Sequence, residues 1–392
     1  MPNQNRRALL AGILLAGGGI GVLSGLSGVF TKAVCAGLGF SRGEFSAIGS
    51  IATLVSAFAA PFSARRLREG SLRREVLAGA LVCGSAPLVY SVSFRLWQFY
   101  LAAAVSGFFL NRVTMLAVGI LLARTGEKNR GRALGIAFAG TGLFTAAATP
   151  LAQQAVLLFG WRWAYRLTGT AALLLLVPTA LFLLPGGSDC GEQPCAAPKE
   201  SSFQEKGASF AAAAAGIFLV NLCNLAMTNH ALPYLTDLGY GTRAASVVSG
   251  SMILLAAARI GAGIFYDRRG ARAGTRLLAL GVFLTALCAL ELPGKNALAL
   301  YMPLLAVSGT ASALPAAALS KNGDGRQNDA AYARLTRAAS LGSACGTPLA
   351  GLVFDRAGSY RPMWTLCAVF AAAAWVLFTL AAKRSQRGAE IK

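Results

Sequence analysis

The chain has 392 residues, 55% of them hydrophobic and 13% charged, against roughly 25% charged in soluble domains; with a mean hydropathy of +0.57, this excludes a protein solvated by water alone. The formal net charge of +21 does not indicate a nucleic-acid partner, because Lys and Arg stand in short clusters between apolar runs instead of lining one groove. Those runs, of about 20 residues each, are long enough to cross the roughly 30 Å hydrocarbon layer, so the lipid bilayer is the first partner expected.

Met1 to Arg7 are polar and basic ahead of an apolar stretch from Ala8 to Phe30. That stretch is too long for a signal h-region and has no clear cleavage site, so it is expected to stay as the first span. Within it, Gly17 to Gly21 (GGGIG) follow no strand and precede no Lys, which argues against a phosphate-binding loop and for close helix packing or bending. Further spans are expected near 45–63, 75–93, 98–122, 132–158, 162–184, 209–235, 244–266, 273–292, 297–319, 335–354 and 361–382. The polar segment 185–208, rich in Pro, Gly, Ser, Glu and Lys, reads as a flexible cytoplasmic linker between an N-terminal half, 1–184, and a C-terminal half, 209–392. The fold class expected is an all-α integral membrane protein, with twelve transmembrane helices in two six-helix bundles, functioning as a monomer.

Most of the 36 Lys and Arg residues fall on the side that holds both termini, which predicts a multi-pass protein of the cell inner membrane with both termini cytoplasmic. Six of the eight Cys residues fall in or beside apolar runs and read as small hydrophobes; Cys190 and Cys195 in the linker give only a weak zinc signal. No metal site, cofactor or catalytic set can be assembled, since the lone His230 has no acid near it within the membrane, so no enzyme is expected. The halves repeat: Pro150 and Gly160 recur as Pro348 and Gly358 at the same spacing. Parallel halves of this kind predict a substrate site near the bilayer midplane between them.

The stretch Gly263-Ile-Phe-Tyr-Asp267-Arg268-Arg-Gly270-Ala-Arg272 matches G-x-x-x-D-R-x-G-x-R, and with it the sequence resembles a major facilitator superfamily transporter over essentially its whole length. The matching stretch of the first half, Pro61-Phe-Ser-Ala-Arg65-Arg66, has Arg65 where the acid belongs. Finer matches are similar to the monocarboxylate transporter and oxalate/formate antiporter branch. They are Phe30-Thr-Lys32, Gly39-Phe40-Ser41-Arg42-Gly-Glu44, Arg130-Gly131-Arg132-Ala-Leu-Gly135, His230-Ala-Leu-Pro233-Tyr-Leu-Thr-Asp237-Leu-Gly239 and Pro348 to Pro362. The resemblance implies secondary transport by alternating access. It gives conformational roles to Gly263, Asp267, Arg268, Gly270, Asp355 and Arg356.

Arg259 lies inside the eighth span, where a permanent charge costs about 2.5–3.5 kcal/mol and calls for a cavity or a partner. Its planar fork suits a carboxylate, and its place is that of the resembled branch's substrate-binding Arg; the alternative is snorkelling to the cytoplasmic surface. Asn111 and Arg112 lie deep in the fourth span, as substrate ligands or as partners of neighbouring helices. By resemblance Lys32 couples ion and substrate, and by sequence alone it is equally an interfacial snorkelling residue. His230 is a candidate for substrate and proton binding against a structural role. Asn221, Asn224 and Asn229 are expected in helix-to-helix hydrogen bonds.

All fifteen acidic residues fall in loops or at span ends. The cavity is therefore expected to be electropositive, built from Lys32, Arg112 and Arg259 without an internal counter-ion, and to attract anions. Where the resembled branch has an Asp one turn before the span-eight Arg, this chain has Leu255. A coupled proton would ride on Lys32, His230 or the substrate. The expected function is transport of a small organic anion, a lactate-like or pyruvate-like monocarboxylate, by proton symport. The alternatives are an anion exchanger of the oxalate/formate type, an exporter of apolar compounds, and a membrane sensor that transports nothing.

Overall fold

The computed structural model describes residues 2–124, 130–184, 208–292, 297–312 and 329–390. Among the described residues helices stand at the expected spans, the tenth only over 297–312; nine are long and apolar enough to cross a membrane, and no strand occurs. Residues 185–207 of the linker, with Cys190 and Cys195, lie outside the described set, as do the side chains of Gly263, Asp267, Arg130 and Arg132.

Helix α1 (Pro2–Ala16) runs through a π-helical stretch, Gly17–Val22, before α2 (Ser27–Leu38), and together these form the first apolar crossing. Next come α3 (Arg42–Glu69), α4 (Leu72–Val92), and α5 (Leu96–Leu110) with α6 (Met115–Arg124), which share the fourth crossing. The long α7 (Arg130–Pro178) breaks at Gly160, where φ 79 and ψ 163 turn the backbone into a region open almost only to glycine. The same break divides α9 (Thr242–Leu290) at Gly270, φ 78 and ψ 166, so each of these elements supplies two spans. The remaining elements are α8 (Ala208–Asp237), α10 (Ala297–Ser308), α11 (Asp329–Ala357) and α12 (Arg361–Glu390).

The chain divides into two compact units, Met1–Glu192 with Ala231–Ile253, and Gln193–His230 with Leu254–Lys392. The sequence suggests one cut at the linker; in the structure the segment 231–253 groups with the first unit.

In the first unit, Ala11, Leu15, Leu67, Val76, Ala80, Val113, Ala117, Ala137, Leu176 and Ala180 pack into one core. The small residues there let backbones approach, the main source of helix association in lipid. The glycine-rich turn shows this directly. A Cβ on Gly21 would sit 2.8 Å from the Thr141 carbonyl oxygen, and Thr145 Oγ1 donates to the Gly21 carbonyl at 3.0 Å. Close packing and a π-helical bend therefore both account for the GGGIG run. In the second unit α11 packs on α8 by the same device: a Cβ on Gly346 would lie 2.1 Å from the Leu222 carbonyl oxygen. Large apolar side chains point outward, Phe58 at 83% and Phe182 at 78% exposure, which suits a surface bathed in hydrocarbon.

Candidate functional site

Lys32 lies on α2, and Gly39 (φ 73) ends that helix so that the chain re-enters α3 after three residues. Ser41 and Glu44 form a capping box at the start of α3, with the Glu44 amide donating to Ser41 Oγ and the Ser41 amide to Glu44 Oε2. This fixes Arg42 as the first helical residue. The last residue of α8, Asp237, accepts from Arg42 Nη1 and lies 3.0 Å from Lys32 Nζ. The sequence reading missed Asp237. In sequence it is one of the acids at span ends, and no local pattern ties it to Lys32 or Arg42.

Arg112 is 6% exposed inside the first unit. Its Nη1 is 3.1 Å from Glu75 Oε2, and its guanidinium lies 4.3 Å from the ring centre of Phe109, with Phe108 and Phe62 further out. Glu75 sits in the first turn of α4, the element that runs antiparallel into α5 and Arg112. Neighbouring Asn111 donates from Nδ2 to the Ser56 carbonyl on α3 at 2.7 Å. Both residues thus have the contacts of the second role that the sequence allows them, as partners of neighbouring helices. A cavity without internal counter-ions is corrected. Lys32 and Arg112 both have carboxylate partners, because acids in the first or last turn of a helix reach the adjacent helix.

His230 is 1% exposed in the second unit. Its Nε2 lies 2.9 Å from the Thr347 carbonyl, which can only accept, so Nε2 carries a proton; Nδ1 lies 2.9 Å from the Tyr360 hydroxyl, which can donate to it or accept from it. With both nitrogens hydrogen-bonded inside the second unit, the ring has the contacts of the structural role that the sequence also allows it. Asn229 adds a hydrogen bond to Thr347 Oγ1 at 3.0 Å. Tyr360 reaches the ring because Gly358 (φ 65) turns the chain between α11 and α12, and it stacks on Trp364. The Pro348 to Pro362 stretch therefore builds this clip. Asp355 and Arg356 are exposed near the end of α11, and Arg268 is exposed just before the corner at Gly270.

Arg259 continues the inward stripe of α9. Ala245, Val248, Met252 and Leu255 are buried at alternating three- and four-residue spacing, and Arg259 comes next, half-buried. Ile253, Ile260 and Ile264 occupy the outward face. The guanidinium therefore does not start from the lipid-facing side of its helix. Leu255, one turn earlier, packs toward the 3-10 turn Gly309–Ser312 that follows α10, where a Cβ on Gly309 would touch it at 2.9 Å. Among the described residues no three His, Cys, Asp or Glu side chains gather as metal ligands.

These features can be set beside known proteins. The family model of the Major Facilitator Superfamily matches residues 8–323 and 215–392. No curated protein matches the chain in sequence. Among solved structures the chain is similar to the nucleoside transporter NupG, in a mutant form, with a TM-score of 0.76 over 95% of this chain and 99% of that one. At 12% identity that likeness concerns the fold. The apolar helical spans among the described residues, the broken corners at Gly160 and Gly270 and the family match over residues 8–323 and 215–392 lead to one conclusion: the chain belongs to the Major Facilitator Superfamily of membrane transporters.

Proposed function

We propose that this transporter carries small organic anions, foremost monocarboxylates of the lactate and pyruvate type, by alternating exposure of its binding residues to the two sides of the membrane. The observation that carries the reading is the place of Arg259 on the inward stripe of α9. An ion that cannot be neutralised is costly in a span unless it faces a cavity or a partner, and its two-pronged geometry matches a carboxylate. Lys32, whose side chain is 49% exposed, is the second cation of the reading. The inner membrane, with both termini cytoplasmic, is the setting proposed from the charge distribution.

The bonding of His230 bears on coupling. With both ring nitrogens engaged, a symported proton travels on the substrate or through Lys32. Exchange of one anion for another needs no proton carrier, and that same observation favours it as the second reading.

Uptake of labelled lactate and pyruvate into proteoliposomes, with uridine as an uncharged solute, tests the proposal. Anion uptake by the wild type that is lost in Arg259→Ala and Arg259→Lys supports it. Unchanged anion uptake in both variants, or uptake of uridine alone, removes it. Thermal stabilisation by the anion gives an independent reading, since a ligand of the folded state raises stability with its occupancy.

A further inference from the structure

Arg162 and Arg166 stand one turn apart just after the break of α7 at Gly160, and both reach Ser91 at the end of α4. Arg162 Nη1 donates to the Ser91 carbonyl at 2.8 Å and the Ser93 carbonyl at 3.3 Å, and its guanidinium lies 4.2 Å from the ring centre of Phe94 and 4.3 Å from that of Trp161. Arg166 Nε donates to Ser91 Oγ at 3.4 Å, and Trp163 lies 4.6 Å from its guanidinium. Arg95, exposed in the turn between α4 and α5, brings a third positive charge to the same end of the first unit. Among the described residues none of the three has a carboxylate partner.

Two like charges that meet at one neutral serine repel each other, and the helical arm that starts after Gly160 adds the positive end of its dipole. Carbonyls, a hydroxyl and ring faces hold the two guanidinium groups in place without neutralising them. They also leave Nε and Nη2 of Arg162 and both terminal nitrogens of Arg166 without a bond among the described residues. Such planar forks suit phosphate oxygens. The surroundings set the depth of the ligand. Trp97 is 59% exposed and Trp163 55%, and exposed indole rings on a spanning protein belong at the level of the lipid headgroups. Val92 and Leu167 are exposed beside them, an apolar surface that acyl chains can cover and a soluble anion cannot use.

We propose that Arg162 and Arg166 bind the phosphodiester of an anionic phospholipid, with Arg95 strengthening the field and the acyl chains lying over Val92 and Leu167. The inference does not depend on which solute is carried. Binding is tested on the purified wild type, Arg166→Gln, Arg162→Gln and Arg361→Gln, titrated in detergent with phosphatidylglycerol or with phosphatidylcholine of the same acyl chains. Bound lipid is counted by native mass spectrometry, with melting temperature followed in parallel. The wild type is expected to retain phosphatidylglycerol in preference to phosphatidylcholine. Arg166→Gln should weaken phosphatidylglycerol about fivefold, the effect of one arginine at a membrane surface, and leave phosphatidylcholine unchanged. Arg361, exposed at the start of α12, controls for positive charge in general, and Arg361→Gln should bind as the wild type does. Arg162→Gln gives up two carbonyl bonds, so Arg166→Gln, which gives up one hydrogen bond, decides the matter if Arg162→Gln does not fold. The proposal is overturned if the wild type shows no preference, if Arg166→Gln keeps the full preference, or if Arg361→Gln loses as much of it. Inorganic phosphate that stabilises the wild type as strongly as phosphatidylglycerol, with the effect lost in Arg166→Gln, would assign the same donors to a soluble anion and overturn the lipid assignment.

Discussion

Glu75 and Arg112, almost equally far in sequence from the turn that joins α4 to α5, form an ion pair 3.1 Å apart inside the first unit. The contact has the distance of a salt bridge without hydrogen-bond geometry, and both Glu75 Oε2 and Arg112 Nε are buried with no hydrogen-bond partner. The missing hydrogen bonds leave the pair poorly compensated for the water it has lost. Such a pair is costly to break and cheap to replace.

Glu75→Ala is therefore expected to destabilise the protein by about 3–5 kcal/mol, leaving Arg112 as an uncompensated buried charge. The double variant Glu75→Leu with Arg112→Met should regain most or all of that loss. Since neither residue is proposed to touch substrate, the double variant should also retain lactate uptake. Thermal melting in detergent with proteoliposome flux checks both parts, and loss of uptake in a stable double variant would return Arg112 to the transport mechanism.

His230→Ala removes the partner of the Tyr360 hydroxyl and of the Thr347 carbonyl, both inside the second unit. Each buried polar group left unsatisfied costs about 1–3 kcal/mol, so a clear fall in melting temperature is expected. The half-saturating concentration for lactate should remain within about twofold of wild type, as the ring has no free nitrogen for a ligand. A large change in that concentration with an unchanged melting temperature would point to a substrate role.

Gly346→Ala places a methyl group against the Leu222 carbonyl oxygen, and α11 must shift away from α8. The expected cost is about 1–3 kcal/mol, as for other overpacked interiors. Gly49 on α3 has nothing within 4 Å of the corresponding position. There the change to Ala should stabilise by up to about 1 kcal/mol through helix propensity. The opposite signs of these two shifts, read side by side in melting experiments, separate close packing from backbone propensity.

At Gly160 and Gly270 the backbone occupies a region that other residues enter only with strain. Alanine at either corner should cost about 1–3 kcal/mol, although neither position has a neighbour for the new methyl group to strike. A melting temperature unchanged in both variants would show that the two corners relax without penalty.

Much of the fold is legible because each span must bury its own backbone polar groups in a helix and present about 20 apolar residues to lipid. Those demands are local, and they are written in runs such as Ala8 to Phe30. The corners at Gly160 and Gly270 are also local, since only glycine enters that part of backbone space readily. The Glu75 and Arg112 pair was readable in principle from their matching distances to one hairpin turn. It was hidden because an acid at the beginning of a span looks like any solvated helix start.

By itself, then, the sequence determined the helical spans, their punctuation and the family. It also marked Arg259 as a cation needing a reason to be in a span. Only the tertiary structure decided which cations have carboxylate partners: Asp237 comes to Lys32 and Arg42 from a distant part of the chain, and the two bonds of His230 close through Thr347 and Tyr360, more than a hundred residues away. Side-chain pairing acts over a few ångströms of space, and space between helices is set by which small residues let their backbones meet. No periodicity along the chain encodes that distance.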